Sequence, residues 1–226
     1  MNKLKKVLWH LRNMNVCKTI YLNFRLFPLH VAVKFPILAY NKLNIKIVRG
    51  GVLLGGSVTC GMIRLGYPGL GIVDTKYQRT FFYVQGTLEI KGKTIIGAAS
   101  YLEVVKGARM TIGQNFSITG KSTIVCTKHI SFGNDCLLSW DILMMDTDWH
   151  KITRENTDTP IKPPSAIRVG NHVWIGCRNT ILKGATICDD CVIAAGSMVT
   201  RNVDIPHAIY GGSPLRVLKE KVDWRH

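Results

Sequence analysis

One beat governs this chain. Val169, Ile175, Ile181, Ile187, Ile193, Val199 and Ile205 are all β-branched aliphatics, each six residues after the last. Ile112, Ile118, Ile124, Ile130, Cys136 and Ile142 keep the same step, and so do Val84, Ile90, Ile96 and Leu102. Between Leu102 and Ile112 the register slips. A step of six matches neither the turn of a helix nor the alternation of an ordinary strand. It fits a solenoid of short strands, in which each six-residue unit forms one flat side and then turns a corner. The aliphatic residue points inward, and stacked coils align these residues into ladders suited to Ile and Val. Corners need small or permissive residues, and Gly113, Gly133, Gly170, Gly176, Gly184 and Gly196 fall between the ladder positions.

Charge is the second constraint. The 226 residues carry a formal net charge of +16, and the first acidic residue is Asp74. Before it stand Lys3, Lys5, Lys6, Arg12, Lys18, Arg25, Lys34, Lys42, Lys46, Arg49 and Arg64. So one-sided a region points to an anionic partner: ligand phosphates, a membrane surface or nucleic acid. A solubilising basic face is the plain alternative. No known nucleic-acid reading motif accompanies the charge, so nucleic acid is not expected. The longest stretch free of Asp, Glu, Lys and Arg is residues 50–63, short of the ~20 apolar residues of a spanning helix. His10, Arg12 and Asn13 interrupt any signal-peptide core. Leu4, Val7, Leu8 and Leu11 share a helical face beside Lys3, Lys5, Lys6 and Arg12. That pattern fits a basic amphipathic helix, lying on a membrane surface or docked on the domain. Seven scattered cysteines without a secretory signal indicate reduced thiols and a cytoplasmic setting. Cys188 and Cys191 form a lone C-x-x-C. The repeat accounts for them as small packing residues, and no metal is expected.

The repeat is most regular in "VGNHVWIGCRNTILKGATICDDCVIAAGSMVTRNV", followed by "YGGSPLRVLKE". WIG at 174–176, AAGS at 194–197, VTR at 199–201 and GGSP-x-R at 211–216 resemble the C-terminal coils of the hexapeptide-repeat acyltransferases. The resemblance covers about residues 84–219. It is strongest to the bacterial sugar and capsule O-acetyltransferases and the xenobiotic acetyltransferases. It implies a left-handed parallel β-helix with three hexapeptides per coil. It implies acetyl-CoA as acyl donor and a homotrimer with each site between two subunits. The family's donor contacts fall here on Cys177, Ala195, Thr200, Arg201 and Arg216, with Lys219 as a further candidate. Arg201, Arg216 and Lys219 would meet phosphates. Trp174 would line the donor groove or fill a seam between coils.

The beat stops at Ile142 and resumes at Val169. Between them stand Asp146, Asp148, Trp149 and His150, then Pro160, Pro163 and Pro164. Loops that leave a solenoid often carry its function. A histidine such as His150 can take and return a hydroxyl proton near neutral pH. A carboxylate beside it would fix its tautomer. Asp146 and Asp148 fall on the same side of an extended segment, so spacing does not choose between them. The family carries a catalytic histidine on such a loop, and D-x-D-x-H matches that position. His129 precedes a ladder residue near the loop, His172 is a corner residue, and His207 lies in the last turn. Three-histidine zinc sites on β-helices use a close histidine pair, and no H-x-x-x-x-H occurs.

The expected fold is therefore an all-β solenoid, a left-handed parallel β-helix over 51–210 with an extended active-site loop at 143–168. A basic, partly helical segment precedes it over 1–50. A C-terminal helix is expected over 211–226, capped by Ser213 with Pro214 in its first turn and Leu215, Leu218 and Val222 on one face. The expected function is acetyl-CoA-dependent O-acetylation of a sugar hydroxyl in cell-surface polysaccharide biosynthesis. His150 would be general base, with Asp148 or Asp146 behind it, and the basic N-terminus would touch the membrane. The alternatives are a non-catalytic binding solenoid, or acetylation of an antibiotic or amino sugar.

Overall fold

The computed structural model describes residues 13–40, 42–48, 51–159, 161 and 163–225. Its short strands stack into three parallel sheets that form the sides of a β-helix, left-handed as the family resemblance implies. The first sheet runs from Ile37–Ala39 to Ala208–Gly211, the second from Leu43–Ile47 to Met198–Val199, and the third from Val52–Leu54 to Thr186–Ile187. No helix among the described residues is long and apolar enough to cross a membrane.

Pairing between coils identifies the true ladders. Ile118, Leu138, Ile175 and Ile193 stack in the first sheet. Leu102, Ile124, Met144, Ile181 and Val199 stack in the second. Ile90, Ile112, Phe132, Val169 and Ile187 stack in the third. All are buried. The sequence beat through Ile130, Cys136 and Ile142 therefore sits two residues ahead of the ladder, which runs through Phe132, Leu138 and Met144. Those three beat residues are buried too, which is why the pattern looks unbroken in the sequence. Ile205, by contrast, is partly exposed and pairs with no strand.

From Ile90 to Val199 the register shifts have one location. Ladder positions are six apart from Ile112 to Ile118 to Ile124, but the next, Phe132, comes late. Larger excesses separate Leu102 from Ile112 and Met144 from Val169. Every one of these corners joins the second sheet to the third. From Val169 to Val199 no corner has an excess, and Trp174 pairs with Val192 in a coil of three hexapeptides. The loop after Met145 is thus the largest of a series of insertions along one edge of the solenoid.

The opposite corners are tight. Gly113, Gly133 and Gly170 stack so closely that a Cβ on Gly133 would lie 2.6 Å from the Gly170 backbone. Asn115, Asp135, His172 and Asp190 turn the third-to-first corner with positive φ, a conformation that Asn, Asp and His adopt more readily than most residues.

Both ends depart from expectation. The β-helix starts at residue 37, not 51, because strands Ile37–Ala39 and Leu43–Ile47 already pair with the next coil. Few repeats precede them, so no periodicity marks them. The helix Val16–Leu26 closes this end. Asn23 bonds both the N–H and the C=O of Ile37, at 3.0 and 2.7 Å, and the Thr19 hydroxyl accepts from Ala39 N at 3.0 Å. These side chains satisfy an edge strand that has no neighbour. The helix expected over residues 4–12 lies outside the described residues. The C-terminal helix is a correction: Arg216–Glu220 is a strand, antiparallel to Ala208–Gly211. A hairpin through Gly212 supplies partners to the last open edge, which a helix would leave unpaired. Leu218 is exposed while Leu215 is buried, so they do not form one packed face.

Candidate active site

The loop expected to carry the active site is pinned at its base by Asp146. Its carboxylate is fully buried and accepts four hydrogen bonds from the corner one coil earlier. Oδ1 accepts from Thr127 N at 2.7 Å and Thr127 Oγ1 at 2.8 Å. Oδ2 accepts from Lys128 N and His129 N, each at 2.8 Å. The extra residues of that corner turn their N–H groups onto one carboxylate, which solves their burial. The Asp146 carbonyl accepts from Ser165 N at 3.2 Å, and Ser165 accepts from Gly184 N at 3.1 Å, so the loop leaves and returns at one point. Asp146 is a loop anchor whose carboxylate is engaged away from His150. Burial pushes the adjoining Cys126 thiol up to about 12, and the charge of Asp146 adds to this.

Beyond the anchor, the Thr147 hydroxyl accepts from Trp149 N at 3.0 Å, and Trp149 takes a positive φ of 62°. This tight turn lifts Trp149 and His150 to the surface. Asp148 pairs through Oδ2 with Lys183 Nζ at 2.5 Å. Lys183 is buried at the end of strand Thr180–Leu182, one coil further on. Asp148, His150, Ile152, Pro163, Pro164 and Lys183 line a common cavity of about 230 Å³. Among the described residues, His150 itself has no hydrogen-bond partner. A second cavity of about 470 Å³, which shares Trp149 and Pro164 with the first, is lined further by Val105, Thr127 and Lys128. A larger one of about 700 Å³ lies at the third-to-first corner, between Asn115, Asp135, His172 and Trp224, and holds none of the expected catalytic groups.

The expected donor residues fall in two places. Trp174 stands outward on the first sheet and donates from Nε1 to Ser139 Oγ at 3.2 Å. The corners of Cys177 and Ala195 stack directly, with Gly196 N bonding Cys177 O at 2.9 Å. A Cβ on Gly176 would lie 2.9 Å from Ala195 N, so glycine is what lets these corners close. The Arg201 guanidinium donates to the Leu215 carbonyl, which ties its corner to the hairpin carrying Arg216 and Lys219. Arg201, Arg216, Lys219, Thr200 and Ala195 are all exposed. Cys177 and Ala195 thus lie at the first-to-second edge. His150, Lys183, Thr200 and Arg201 lie along the second-to-third edge. The width of the second sheet, a three-residue strand of about 10 Å, separates the two groups within one chain.

Some partners leave no mark in the sequence pattern. Lys183 is one, because a lysine after a ladder strand looks like a solvated corner. His172 is more than a corner residue: its ring stacks on Trp224 with centroids 4.4 Å apart, and Nδ1 lies 2.8 Å from Asp190 Oδ1. Trp224 Nε1 donates to the His172 carbonyl at 2.9 Å, which straps the tail to the solenoid. Trp224 lies far from His172 in sequence and belongs to no repeat. His207 Nε2 is 3.8 Å from Asp190 Oδ2, and His129 engages the loop anchor through its backbone. The Cys188 and Cys191 sulfurs are 3.3 Å apart.

Likeness to known proteins tracks the same coils. The family described as bacterial transferase hexapeptide (six repeats) matches residues 166–201. Galactoside O-acetyltransferase of Escherichia coli (strain K12) is 34% identical over 116 residues, covering 50% of this chain and 55% of that protein. Polysialic acid O-acetyltransferase of Escherichia coli O1:K1 / APEC is 26% identical over 136 residues, covering 60% of this chain and 42% of that protein. The chain thus spans about half the length of these curated relatives. In three dimensions it resembles the crystal structure of the polySia-specific acetyltransferase NeuO, with a TM-score of 0.56 at 20% identity over 83% of this chain and 89% of that one. At that identity the likeness is one of fold. Its stacked ladders and three sheets share that fold, and residues 166–201 carry the repeat described for the bacterial hexapeptide transferases.

Proposed function

We propose that the protein is an acetyl-CoA-dependent O-acetyltransferase acting on a saccharide hydroxyl, with His150 as general base. The observation that carries this reading is the placement of His150. It stands exposed beside a cavity, on a loop whose two ends are fixed through Asp146 and Ser165, next to the anchored Asp148–Lys183 pair. A base held at a cavity mouth is of use to an acceptor that arrives from solvent. His150 would take the acceptor's hydroxyl proton as its oxygen bonds the thioester carbonyl carbon. It would return that proton to the departing thiolate as the carbon–sulfur bond breaks. A backbone N–H would meet the transient oxyanion. Asp148 is the carboxylate that remains to steer His150, since Asp146 is fully engaged by the corner.

The donor fits the first-to-second edge. Exposed Ala195 and the glycine-closed corner of Cys177 leave open backbone for an extended arm, beside the partly exposed ring of Trp174. Exposed Arg216 and Lys219 are suited to its phosphates, and exposed Thr200 and Arg201, on the His150 edge, would meet them from the neighbouring subunit. Because the two edges are set apart within one chain, a homotrimer that brings one subunit's His150 edge against a neighbour's Ala195 edge completes the site. The relatives named for galactoside and polysialic acid acetylation support a carbohydrate acceptor and a place in cell-surface polysaccharide biosynthesis. The basic first third is assigned to peripheral contact with a membrane from the cytoplasmic side.

A screen of acceptor sugars with acetyl-CoA, read by release of free thiol, tests the reading. Turnover with at least one saccharide is expected. Absence of acetyl-CoA binding by calorimetry would instead establish a non-catalytic solenoid.

A further inference from the structure

The helix Val16–Leu26 is built inside out. Its inner face carries Thr19, Leu22, Asn23 and Leu26, two of them polar, because the face must bond the open edge of strand Ile37–Ala39. Its outer face carries Val16, Ile20 and Phe24 in one row and Cys17 and Tyr21 in the next. Ile20 is 47% exposed, Tyr21 51% and Phe24 46%, and Leu29 and Val33 continue the apolar surface through the short helix beyond. An apolar face of this size turned to water marks an interaction surface. Its rim is cationic: Lys18 and Arg25 flank the helix row, and Lys34 succeeds Val33.

Beside the start of this helix lies a cavity of about 370 Å³, lined by Asn15, Lys18, Lys42, Leu43, Asn44 and Arg79. Its floor is rigid. Asn15 caps the helix by accepting from Lys18 N at 3.0 Å, and Lys18 Nζ donates to the Leu43 carbonyl. Three cations converge on this one hollow, and among the described residues none of them has an ion-pair partner. The chain offers no Asp or Glu before Asp74, and Asp74 Oδ1 is occupied by Lys76 N at 2.9 Å. Like charges gathered without a counter-charge repel, and an anion in the hollow would relieve that repulsion.

We infer that this end of the solenoid docks on an anionic lipid bilayer. The outer face of Val16–Leu26, with Leu29 and Val33, enters the acyl–headgroup boundary, and a lipid phosphate occupies the cavity of Lys18, Lys42 and Arg79. Charge complementarity selects this occupant over a second copy of the chain, whose own surface here would be equally basic. Aromatic and aliphatic residues on a face rimmed by Lys and Arg are the pattern of a helix lying in a membrane interface. The inference gives the proposed peripheral contact a definite surface. It does not depend on the acetyl-transfer reading, and its test uses no acetyl-CoA.

The test is sedimentation of the full chain with phosphatidylcholine vesicles, with and without phosphatidylglycerol. Binding to the anionic vesicles only is expected, weakening with salt. Ile20→Glu with Phe24→Glu, and separately Lys42→Glu with Arg79→Glu, should each lower that binding by about 10-fold or more. Both pairs are at exposed positions, so circular dichroism and the thermal midpoint should match the parent. No sedimentation of the parent, or equal sedimentation of the variants, overturns the proposal. Calorimetric binding of glycerol phosphate or inorganic phosphate without vesicle binding overturns it in favour of a soluble phosphate ligand. A fall in oligomeric state in the Ile20/Phe24 variant, without vesicle binding by the parent, overturns it in favour of a contact between copies.

Discussion

Asp146 and His150 sit four residues apart and do opposite work. Asp146 is buried with both oxygens occupied, and His150 is exposed with its ring nitrogens available to a ligand. Asp146→Ala would strand three backbone N–H groups and a hydroxyl at a half-buried corner. A cost of about 3–5 kcal/mol is expected from urea denaturation, since each hydrogen bond to a charged acceptor contributes about 1.5–3 kcal/mol and the corner relaxes in part. Cys126, against that carboxylate, carries a pH dependence. Its thiol is raised from 9.0 to about 12, so the neutral form is the one the fold favours. The stability this contributes is full below pH 9 and is lost as pH rises through about 12. Cys126→Ala should flatten the fall in thermal midpoint over that window. An unchanged slope would show that other groups set it.

Among elements, corners decide more than strands. Gly133→Ala places a Cβ 2.6 Å from the Gly170 backbone, which cannot step aside without moving the next coil. A loss of about 1–3 kcal/mol is expected. Gly71→Ala is the control: nothing lies within 4 Å of its Cβ, and a change within about 0.5 kcal/mol is expected. Equal effects in the two variants would contradict the stacked-corner geometry. The same contrast explains what sequence can convey. Ladder residues recur at a fixed step because every coil presents the same interior, so the sides of the solenoid are legible from Ile112 onward. Its first coil is not, because strands Ile37–Ala39 and Leu43–Ile47 precede the long insertions and share no step with the later coils. Partners across coils are also hidden: Lys183 reaches Asp148, and Trp224 reaches His172, through stacking that no local spacing encodes. The C-terminal segment has an apolar spacing that suits a helix, yet the open edge of Ala208–Gly211 claims it as a strand. His150 is legible because the loop interrupts a rhythm, whereas the engagement of Asp146 is visible only in three dimensions.

At the scale of the molecule, insertions accumulate along one edge and the small-residue corners along another. On the proposed reading, neither edge alone is a complete site. If a site joins His150 of one subunit to the Ala195 corner of another, two inactive variants can rescue each other. His150→Ala and Ala195→Trp, each inactive alone, should regain turnover when unfolded together and refolded as mixed oligomers. A mixture as inactive as its parents would place both groups of residues in one subunit's site. The solenoid's other end, with its outward apolar helix and basic hollow, would then set which surface the assembly faces.

The central claim is that His150 performs the proton transfer on a scaffold that otherwise holds itself and its donor intact. Thiol release by His150→Ala, measured beside calorimetric binding of acetyl-CoA, tests it most directly. Turnover at least ~100-fold below the parent, with donor affinity and oligomeric state unchanged, is the predicted result. Near-normal turnover in that variant would contradict it.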